Sequence, residues 1–359
     1  MYPNYKQQQI LKKWFGTSRF VYNKTLDHTK NVGLSTFETL RNKFVTYTSR
    51  KGVINPDINL WETETPKDVR ASAVKDVTIA YSAAFTNLKR GNISKFSLGF
   101  RKKRDCQSLG IPKCAVNFKD GKLTVFPRTL GNLTLKTRTL KKMISVEHDC
   151  RLTYNGLAYF LCVPVKCENS EHSKNQKIVA LDPGLRTFIT GYSTDQIFKI
   201  ERSPEVIKKI RAKIDLLKSL RDRKKLRNKK KILKSHQRLR NIVDDLHWKT
   251  ISFLVKNYTD ILLPSFESQA MMGSIKSVNR TFNDLKHYQF KMRLTEKVKH
   301  VSNTRLYIVD ESYTSKTCTN CGVIKADLGS SKIYQCDKCS LIIDRDVNGA
   351  RNILIKNVK

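Results

Sequence analysis

The spacing of apolar residues changes character along the chain. Apolar and aromatic positions recur at helical intervals between residues 6 and 30, and a second helical stretch covers residues 68–91. After Asn92 the apolar runs become short and β-rich, beginning with FSLGFRKKRD and separated by Asp-Gly, Pro and Asn-Gly turn signals. FKDGKL is typical of a hairpin turn. Residues 92–167 therefore predict a small antiparallel barrel or sandwich.

A third pattern begins at Lys177, after a polar stretch at residues 168–176 that is typical of a linker. KIVALDPG and TFITGYS predict two strands, and residues 205–256 predict long helices. DILLPSF and RLYIVDES predict two more strands, with an amphipathic helix near residues 281–300 between them. This order of elements indicates a mixed sheet flanked by helices.

The charge of the chain indicates a binding partner in addition to a fold. Lys and Arg total 69 against 31 Asp and Glu, a net charge of +38, and residues 201–240 alone carry 17 basic against 4 acidic residues. A compact body with that charge repels itself, and a polyanion relieves the repulsion, so nucleic acid is the favoured partner. One face of these helices is apolar, and the other faces are basic; the apolar face consists of Ile207, Ile210, Ile214 and Leu217. The candidate phosphate contacts are Arg101, Lys102, Lys103, Arg211, Lys224, Lys225, Arg227, Lys229, Lys230 and Lys231.

Several features place the chain inside the cell. It has no apolar run of about 18 residues, which a membrane-spanning helix would need. Its first residues, MYPNYKQQQILKKWFG, have neither the apolar core nor the cleavage site of a secretory signal. Five of the nine cysteines show no ligand-like pairing and are interpreted as reduced thiols. We expect an intracellular protein without a membrane partner, nuclear if its host is eukaryotic.

Four cysteines have the spacing C-x2-C-x14-C-x2-C: Cys318, Cys321, Cys336 and Cys339. Two residues between thiolates let one tight turn present both sulfurs to a tetrahedral ion, and two such turns complete a closed site. The spacing predicts structural zinc in a ribbon at residues 315–341. A closed four-sulfur site has no open coordination position, so it is not expected to be the catalyst. A redox dithiol is the alternative.

Three carboxylates occur where the mixed sheet would bring them together. Asp182 ends KIVALD, Glu311 ends RLYIVDE, and Asp346 starts the helix-like VNGARNILI. Each also has an ordinary structural interpretation: Asp182 in a turn, Asp346 as a helix N-cap and Glu311 as an exposed charge. In so basic a protein, clustered acids are most simply explained by Mg²⁺ that bridges them to phosphate.

Four segments together resemble the nuclease domain and zinc ribbon of the TnpB family, and more closely those of Fanzor, its eukaryotic and viral relative. They are VALDPGLRTFITGY, the basic helices ending in DDLHWKT, SYTSKTCTNCG and DRDVNGARNIL. YPNYKQQQILKKWFGTSRFVYNKTL also resembles the family, so the likeness covers nearly the whole chain. It implies an RNA-guided DNA endonuclease of a transposable element, with guide RNA and target DNA as partners.

The resemblance also implies an architecture, an α+β multidomain fold. Residues 1–91 would be a helical recognition region with a remnant of the wedge domain, and residues 92–167 a wedge-type β-barrel into which that helical region is inserted. Residues 177–359 would form an RNase H-like (RuvC) mixed α/β sheet with the inserted zinc ribbon. The family usually has a strand before Tyr-Pro, so with Met1 as the first residue either the start is truncated or the barrel lacks a strand.

The catalytic residues of the family fall on Asp182 and Asp346, with Asp344 as a second candidate for the last position. The middle glutamate is where the sequence departs, because Pro264 occupies its usual place. Glu311, at the end of the neighbouring strand, is the preferred substitute, and Glu267 is the alternative. The proline also leaves open a nuclease-silent, RNA-guided DNA-binding protein. A simple zinc-ribbon nucleic-acid-binding protein is the third hypothesis.

Overall fold

The computed structural model of the protein resolves two compact units, Met1–Lys166 and Cys167–Lys359. Within these two units the structure describes residues 1–49, 52–119, 122–133, 146–166, 177–201, 204–220, 225–265, 280, 283–327, 329 and 331–358. The expected linker at residues 168–176 lies outside this range. No helix in the described ranges has both the length and the apolar character needed to cross a membrane.

The first unit begins with three helices: α1 (Tyr5–Val32), α2 (Phe37–Phe44) and α3 (Lys67–Lys89). The side chain of Asn4 accepts from the backbone N–H of Gln7, and Gln7 returns a bond to the backbone N–H of Asn4, so a capping box fixes the start of α1. The helical periodicity seen in the sequence becomes an apolar core between the three helices, with Leu26 and Val74 fully buried. Both predicted helices of this region are confirmed.

Six strands follow among the described residues of the same unit, and they form two separate sheets. One has the order β1 (Gln107–Ile111), β5 (Cys150–Tyr154), β6 (Tyr159–Cys162), and the other the order β2 (Val116–Lys119), β3 (Lys122–Val125), β4 (Asn132–Leu133). All pairings are antiparallel, and Lys119 lies opposite Lys122 as the predicted hairpin requires.

One expectation for this region is not confirmed, and another is wrong. The strands do not close into the expected barrel among the described residues of the first unit, because β1 pairs with β5 and leaves β2–β4 as a sheet of its own. Three strands are too few for a sheet to curl round and meet its own edge. Residues 96–105, the first predicted β-rich run, contain no strand; the first strand is β1.

The second unit is built on a five-stranded mixed sheet. Its order is β11 (Arg305–Val309), β10 (Asp260–Pro264), β7 (Ile178–Pro183), β8 (Ile189–Tyr192), β9 (Ile197–Ile200). The β7–β8 and β8–β9 pairs are antiparallel, whereas β10 runs parallel to both β7 and β11. The mixed sheet and the neighbouring positions of β10 and β11 are as predicted.

Helices cover the two faces of this sheet. Those of the second unit whose ranges the structure describes are α4 (Pro204–Ser219), α5 (Lys225–Asn257), α6 (His287–Val298) and α7 (Arg345–Asn357). Alternate residues of β7 face opposite ways: Val179 and Leu181 join the core with α5 and α6, whereas Ala180 packs with Ile353 and Leu354 of α7. Helix α7 therefore lies on the face toward which Asp182, two residues beyond Ala180, is directed.

A two-stranded ribbon precedes α7 directly. Strand β12 (Ile333–Gln335) pairs antiparallel with β13 (Ile342–Asp344), and the last residue of β13 is also the N-cap of α7. The apolar centre of the ribbon consists of Tyr334, which is almost fully buried, and the cysteines around it. No loop therefore separates the ribbon from helix α7, which packs on the sheet.

Candidate metal centres

The two Cys-x-x-Cys pairs fold as matched turns. In the first, Cys318 N–H donates to the carbonyl of Val323 and Gly322 N–H to that of Cys318 (2.8 and 2.9 Å). In the second, Cys336 N–H donates to Leu341 and Ser340 N–H to Cys336 (2.9 and 3.2 Å). Gly322 and Ser340 both have left-handed backbone, with φ of 73° and 56°. A glycine directly after the first pair suits such a turn because its backbone is free to adopt this conformation, whereas nothing in the sequence singles out Ser340.

The four sulfurs are brought together as the spacing predicts. The Sγ atoms of Cys318 and Cys339 are 3.6 Å apart, as are those of Cys321 and Cys336, and all four lie within 4.8 Å of one another. A tetrahedral zinc–thiolate site with bonds of about 2.3 Å has sulfur–sulfur edges of about 3.8 Å. The donor set and its spacing are therefore compatible with zinc.

The carboxylate of Asp182 lies against helix α7. Asp182 is on β7 opposite Thr190 of β8, and a Cβ added to Gly349 of α7 would come within 2.7 Å of its Oδ2. Only a residue without a side chain leaves room for the carboxylate in this position. The hydroxyl of Thr190, directly across the strand pair, is buried and has no hydrogen-bond partner among the described residues. An unpaired buried hydroxyl beside a carboxylate is a place where a cation or its water would be stabilised.

Burial raises the pKa of Asp182 to about 8, and the facing carboxylates of Asp346 and Glu311 add to the shift. Burial is also the main cause of a raised pKa at Glu311, with a further contribution from Asp310. The rise reflects the cost of removing a negative charge from water and placing it near others. A divalent cation would remove that cost, so these groups form a candidate site for a hard metal ion.

Asp344 and Asp346 have different roles at the start of α7. The Asp344 carboxylate caps the helix, accepting from the backbone N–H groups of Asp346 and Val347 (3.0 and 3.2 Å), and it pairs with Lys199 of β9 at 2.6 Å. Although partial burial opposes it, these bonds lower the pKa of Asp344. The N-cap role that the sequence allowed for Asp346 therefore belongs to Asp344, which leaves the carboxylate of Asp346 available toward Asp182.

Glu311 lies two residues beyond the end of β11. Pro264, the last residue of β10, pairs with Val309, so the position where the family usually carries glutamate is beside the strand that leads to Glu311. The alternative, Glu267, lies outside the described residues. Among those that are described, the four cysteines are the only group of three or more metal-ligating residues whose ligand atoms all lie within 4.8 Å. The three carboxylates are thus close enough to interact electrostatically but form a wider site than a single-ion cage.

The basic candidates fall into three groups. Arg211 is largely buried and pairs with Asp284, and Arg101 pairs with Asp76 at 2.8 Å and lies over the ring of Tyr22, so both have structural partners. Exposed side chains belong to Lys102, Lys103, Lys229, Lys230 and Lys231. The side chains of Lys224, Lys225 and Arg227 lie outside the described part. A phosphate contact stays a prediction for every one of them.

Sequence reasoning missed a buried pair of histidines behind Asp182. The ring of Phe188 is stacked between His247 and His287, with ring centroids 5.3 and 5.0 Å apart. His247 also contacts the carbonyl of Leu285 at 2.8 Å and Arg293 at 3.1 Å, and His287 hydrogen-bonds the backbone of Gly184, in the turn after Asp182. Burial lowers the pKa of both histidines to about 4. The DDLHWKT segment contains His247, but His287 has no recognisable pattern in the sequence.

Three family models match the chain. One described as "Cas12f1-like, TNB domain" matches residues 287–353, one described as "Helix-turn-helix domain" matches residues 1–32, and one described as "Probable transposase" matches residues 161–274. The first of these spans the described cysteine ribbon and the start of α7. The matches fall in both compact units, and none of the three models matches residues 33–160.

Whole-length relatives are named for the same group of proteins. The A625R protein of Paramecium bursaria Chlorella virus 1, named as a transposase, is 30% identical over 99% of this chain and 84% of its own length. The TnpB-like protein L770 of Acanthamoeba polyphaga mimivirus is 29% identical over 100% of this chain and 72% of its own. The InsQ protein of Escherichia coli (strain K12), named as an RNA-guided DNA endonuclease, is 22% identical over 98% and 89%.

One solved structure supports the fold. A chain from the complex of Cas12f1 with its single guide RNA and target DNA superposes with a TM-score of 0.55 at 13% identity, covering 96% of this chain and 82% of that one. At that identity the likeness concerns the fold, an α+β arrangement of helices and sheets. The closer resemblance to Fanzor expected from the sequence stays a prediction.

Proposed function

The chain belongs to the TnpB-like family, and from that premise we propose that it is an RNA-guided, Mg²⁺-dependent DNA endonuclease. Asp182, Glu311 and Asp346 are its proposed reaction centre, and the four cysteines hold a structural zinc ion. The observation that carries the proposal is the position of the partly buried Asp182 carboxylate, which lies against Gly349 of α7 near Asp346 and Glu311 in a protein of net charge +38, so that burial and these two acids raise its pKa to about 8. Acids are not expected to face each other here unless a cation joins them.

The sheet supports this assignment. Numbering its strands along the chain gives the order 3-2-1-4-5, with the first three antiparallel and the last two parallel to strand 1, and this order supports the proposed RNase H-like fold. Asp182 on the central strand, Glu311 after the edge strand and Asp346 on the helix that covers the central strand would face one DNA phosphate. Magnesium ions bound there would supply Lewis-acid stabilisation of the oxygens that attack and leave the phosphorus.

The protein groups would bind and orient rather than attack. Asp182, which interacts with both other acids, would hold the magnesium ions together with Glu311 and Asp346. Asp344 would keep α7 in place through its cap and its pair with Lys199. The ribbon would add no chemistry, because four thiolates fill the coordination of zinc.

The partners follow from charge and from the relatives. The InsQ protein and the Cas12f1 complex are both named for an RNA guide and a DNA target. In this chain the net charge of +38 would hold the heteroduplex by its phosphates, while base pairing with the guide would choose the sequence. Exposed Lys229, Lys230 and Lys231 would contribute to these phosphate contacts. The protein would act inside the cell, and in the nucleus if its host is eukaryotic.

Purification with the native 3′-flanking RNA and cleavage of a matched DNA test the proposal. A single structured RNA species should co-purify, and the complex should cut matched DNA in Mg²⁺. Asp182→Ala combined with Asp346→Ala should abolish cutting while leaving RNA binding intact. Unchanged cutting by the double variant would show that the assigned residues are wrong, and recovery of bulk cellular RNA alone would count against a guide.

Two other functions predict different results. A nuclease-silent, RNA-guided DNA-binding protein would bind matched DNA normally and cut it at no concentration of Mg²⁺ or Mn²⁺; the position of Pro264 at the end of β10 is the observation in its favour. A simple zinc-ribbon protein would fold and bind nucleic acid with its last 50 or so residues alone. The packing of α7 against β7 disfavours that reading, because Ile353 and Leu354 would be left exposed.

A further inference from the structure

Helix α7 carries a row of three polar residues at four-residue intervals: Asn348, Asn352 and Lys356, here called the polar seam. Residues spaced by four lie on one face of a helix, one turn apart. Each of them bonds the segment that runs from residue 310 to residue 319, which joins strand β11 to the first cysteine pair. The segment runs antiparallel to the helix, since Asn348 reaches its end and Lys356 its beginning.

The bonds of the polar seam are specific and mostly buried. Asn348 donates to the carbonyl of Thr317 (2.8 Å) and accepts from Thr319 N–H (3.1 Å). Asn352 donates to the carbonyls of Thr314 and Thr317 (2.8 and 2.7 Å). Asn348 is fully buried and Asn352 is 7% exposed, so these amides replace water as partners of the backbone. A buried backbone group left without such a partner costs about 1–3 kcal/mol.

The third bond of the seam is at the surface. Lys356 Nζ donates to the Asp310 carboxylate and to the carbonyl of Ser312 (2.7 and 3.2 Å). These two residues flank Glu311 on either side. Both charged side chains of the pair are exposed, so this contact contributes little energy compared with the two buried amides.

The segment held in this way begins at one candidate metal centre and ends at the other. The backbone N–H and the hydroxyl of Thr314 both donate to the carbonyl of Glu311 (3.1 and 2.8 Å). Six residues after Glu311 comes Thr317, followed by Cys318. The helix that holds the segment carries Asp346 and Gly349 toward Asp182. The polar seam therefore sets the register of Glu311 and of Cys318 against the same helix.

We propose that Asn348 and Asn352 are positioning residues that couple the cysteine cluster to the carboxylate site, so that zinc at the cysteines strengthens binding of a divalent cation at Asp182, Glu311 and Asp346. Zinc holds Cys318 in its turn, the amides of the seam transmit that position to Thr314 and Thr317, and Thr314 fixes the turn that carries Glu311. By linkage, the cation at the carboxylates also strengthens zinc binding. The inference rests on the proposed function for the identity of the carboxylate site.

Binding of Mn²⁺ to the full-length, RNA-free protein tests the coupling without reference to DNA cleavage. Free Mn²⁺ is measured by electron paramagnetic resonance for zinc-loaded and zinc-free protein under reducing conditions, and sites unrelated to the carboxylates are subtracted with Asp182→Asn. Removal of zinc should raise the dissociation constant for Mn²⁺ about tenfold, within the usual range of coupling between two sites. Equal affinity with and without zinc would overturn the proposal, whatever any variant does.

The seam itself is tested with Asn352→Ala, which removes both donated bonds. The zinc-loaded variant should bind Mn²⁺ about tenfold more weakly than the wild type, and zinc removal should weaken it little further. Asn357→Ala is the matched control, because Asn357 lies on the same helix but donates only to Ile353 of that helix (2.9 Å). It should leave Mn²⁺ affinity unchanged.

Wild-type Mn²⁺ affinity in a zinc-loaded Asn352→Ala protein would show that the seam is only structural and would overturn its positioning role. If that variant fails to retain zinc, Asn348→Ser replaces it, and the same two outcomes apply. Failure of the proposed function gives a different pattern. Zinc-dependent Mn²⁺ binding without guide-dependent DNA cleavage would sustain the coupling and refute the nuclease, whereas cleavage with zinc-independent Mn²⁺ binding would do the reverse.

Discussion

The cysteine ribbon and the carboxylate site lie at the two ends of one ten-residue segment, yet they are built in opposite ways. The ribbon makes its site from two local turns, and its sulfurs are already 3.6 Å apart in pairs. The carboxylates come from a central strand, an edge strand and a helix, and the pKa of Asp182 is raised to about 8 by burial and by the other two acids. The cysteine site is formed by turns within a short stretch of sequence. The carboxylate site is formed by distant parts of the chain, which the fold holds together although the carboxylates repel one another.

This difference predicts effects of opposite sign on stability. Loss of a thiolate removes a partner that the ribbon needs to fold, whereas loss of a buried carboxylate removes a charge that the metal-free fold must accommodate. Function would suffer in both cases. The following predictions test that contrast.

Replacement of a buried cysteine has the largest expected effect. Cys336→Ser should abolish zinc retention and unfold the ribbon, because binding of a structural zinc ion contributes roughly 10 kcal/mol or more to such small folds. Bound zinc is measured by elemental analysis and the fold by limited proteolysis. Cys114→Ser, which changes an exposed thiol, is the control and should keep one zinc ion per chain. Retention of zinc by Cys336→Ser would contradict the four-sulfur site.

Asp182→Asn should have two opposite effects. Cleavage should fall by about a thousandfold or more, since a shared metal ligand is lost. The metal-free protein should become more stable at neutral pH, by about 1–3 kcal/mol, because a carboxyl whose pKa is raised to about 8 is ionised in the unfolded chain and must take up a proton on folding. Thermal unfolding of the zinc-loaded protein, measured without Mg²⁺, checks this. A lower melting temperature than wild type would mean that Asp182 stabilises the fold on its own.

Acid should destabilise the second unit through its buried histidines. The pKa values of His247 and His287 are lowered by burial to about 4, whereas a histidine in the unfolded chain titrates near 6.5. The free energy of unfolding is therefore not reduced by these histidines above about pH 6.5. It falls as the pH drops toward 4, by about 1 kcal/mol per histidine between pH 7.5 and 5.5. Arg293 and Lys286 further disfavour protonation of His247, and Asp244 favours it.

Urea unfolding at the two pH values measures this loss of stability. Since zinc binding to the cysteines also weakens in acid, the informative quantity is the difference between wild type and the His247→Phe/His287→Phe double variant. The double variant should lose about 2 kcal/mol less than the wild type between pH 7.5 and 5.5. An identical loss in both proteins would show that these histidines do not titrate in this range.

The smallest effect is expected at the second cysteine turn. Ser340 has φ of 56°, in the region where glycine is favoured, and it occupies the position that Gly322 holds in the first turn. Ser340→Gly should stabilise the ribbon by about 0.5–1 kcal/mol, and Gly322→Ala should destabilise it by a similar amount. The rate of zinc release to a chelator checks both. Faster release from Ser340→Gly would contradict the strain at this turn.

The same contrast explains what the sequence could predict. Local patterns were sufficient for α1, α3 and α4, for β7 and β10, and for the four cysteines, since each depends on periodicity or spacing within one segment. Asp182 and Asp346 could be singled out as candidates because each ends or starts such an element. The strand order that unites them depends on which strands pair over long distances, and the resemblance to a family was needed to anticipate it.

Other features could not be predicted for related reasons. The β-rich runs after Asn92 gave no sign of which strands pair, so a barrel was expected where two small sheets form. The cap of α7 falls on Asp344 rather than Asp346 because β13 ends there, and a boundary of that kind is uncertain by a residue or two from sequence. The polar seam had a visible spacing of four residues, but its partners are backbone groups, which leave no trace in side-chain patterns.

The most direct test of the account is single-turnover cleavage of matched DNA by the protein–guide RNA complex across a range of Mg²⁺ concentrations. Wild type and Glu267→Gln should cut with the same rate and the same Mg²⁺ dependence, whereas Glu311→Gln should not cut and should still bind the DNA. Cutting by Glu311→Gln together with loss of cutting by Glu267→Gln would contradict the proposed site and make Glu267 its third carboxylate.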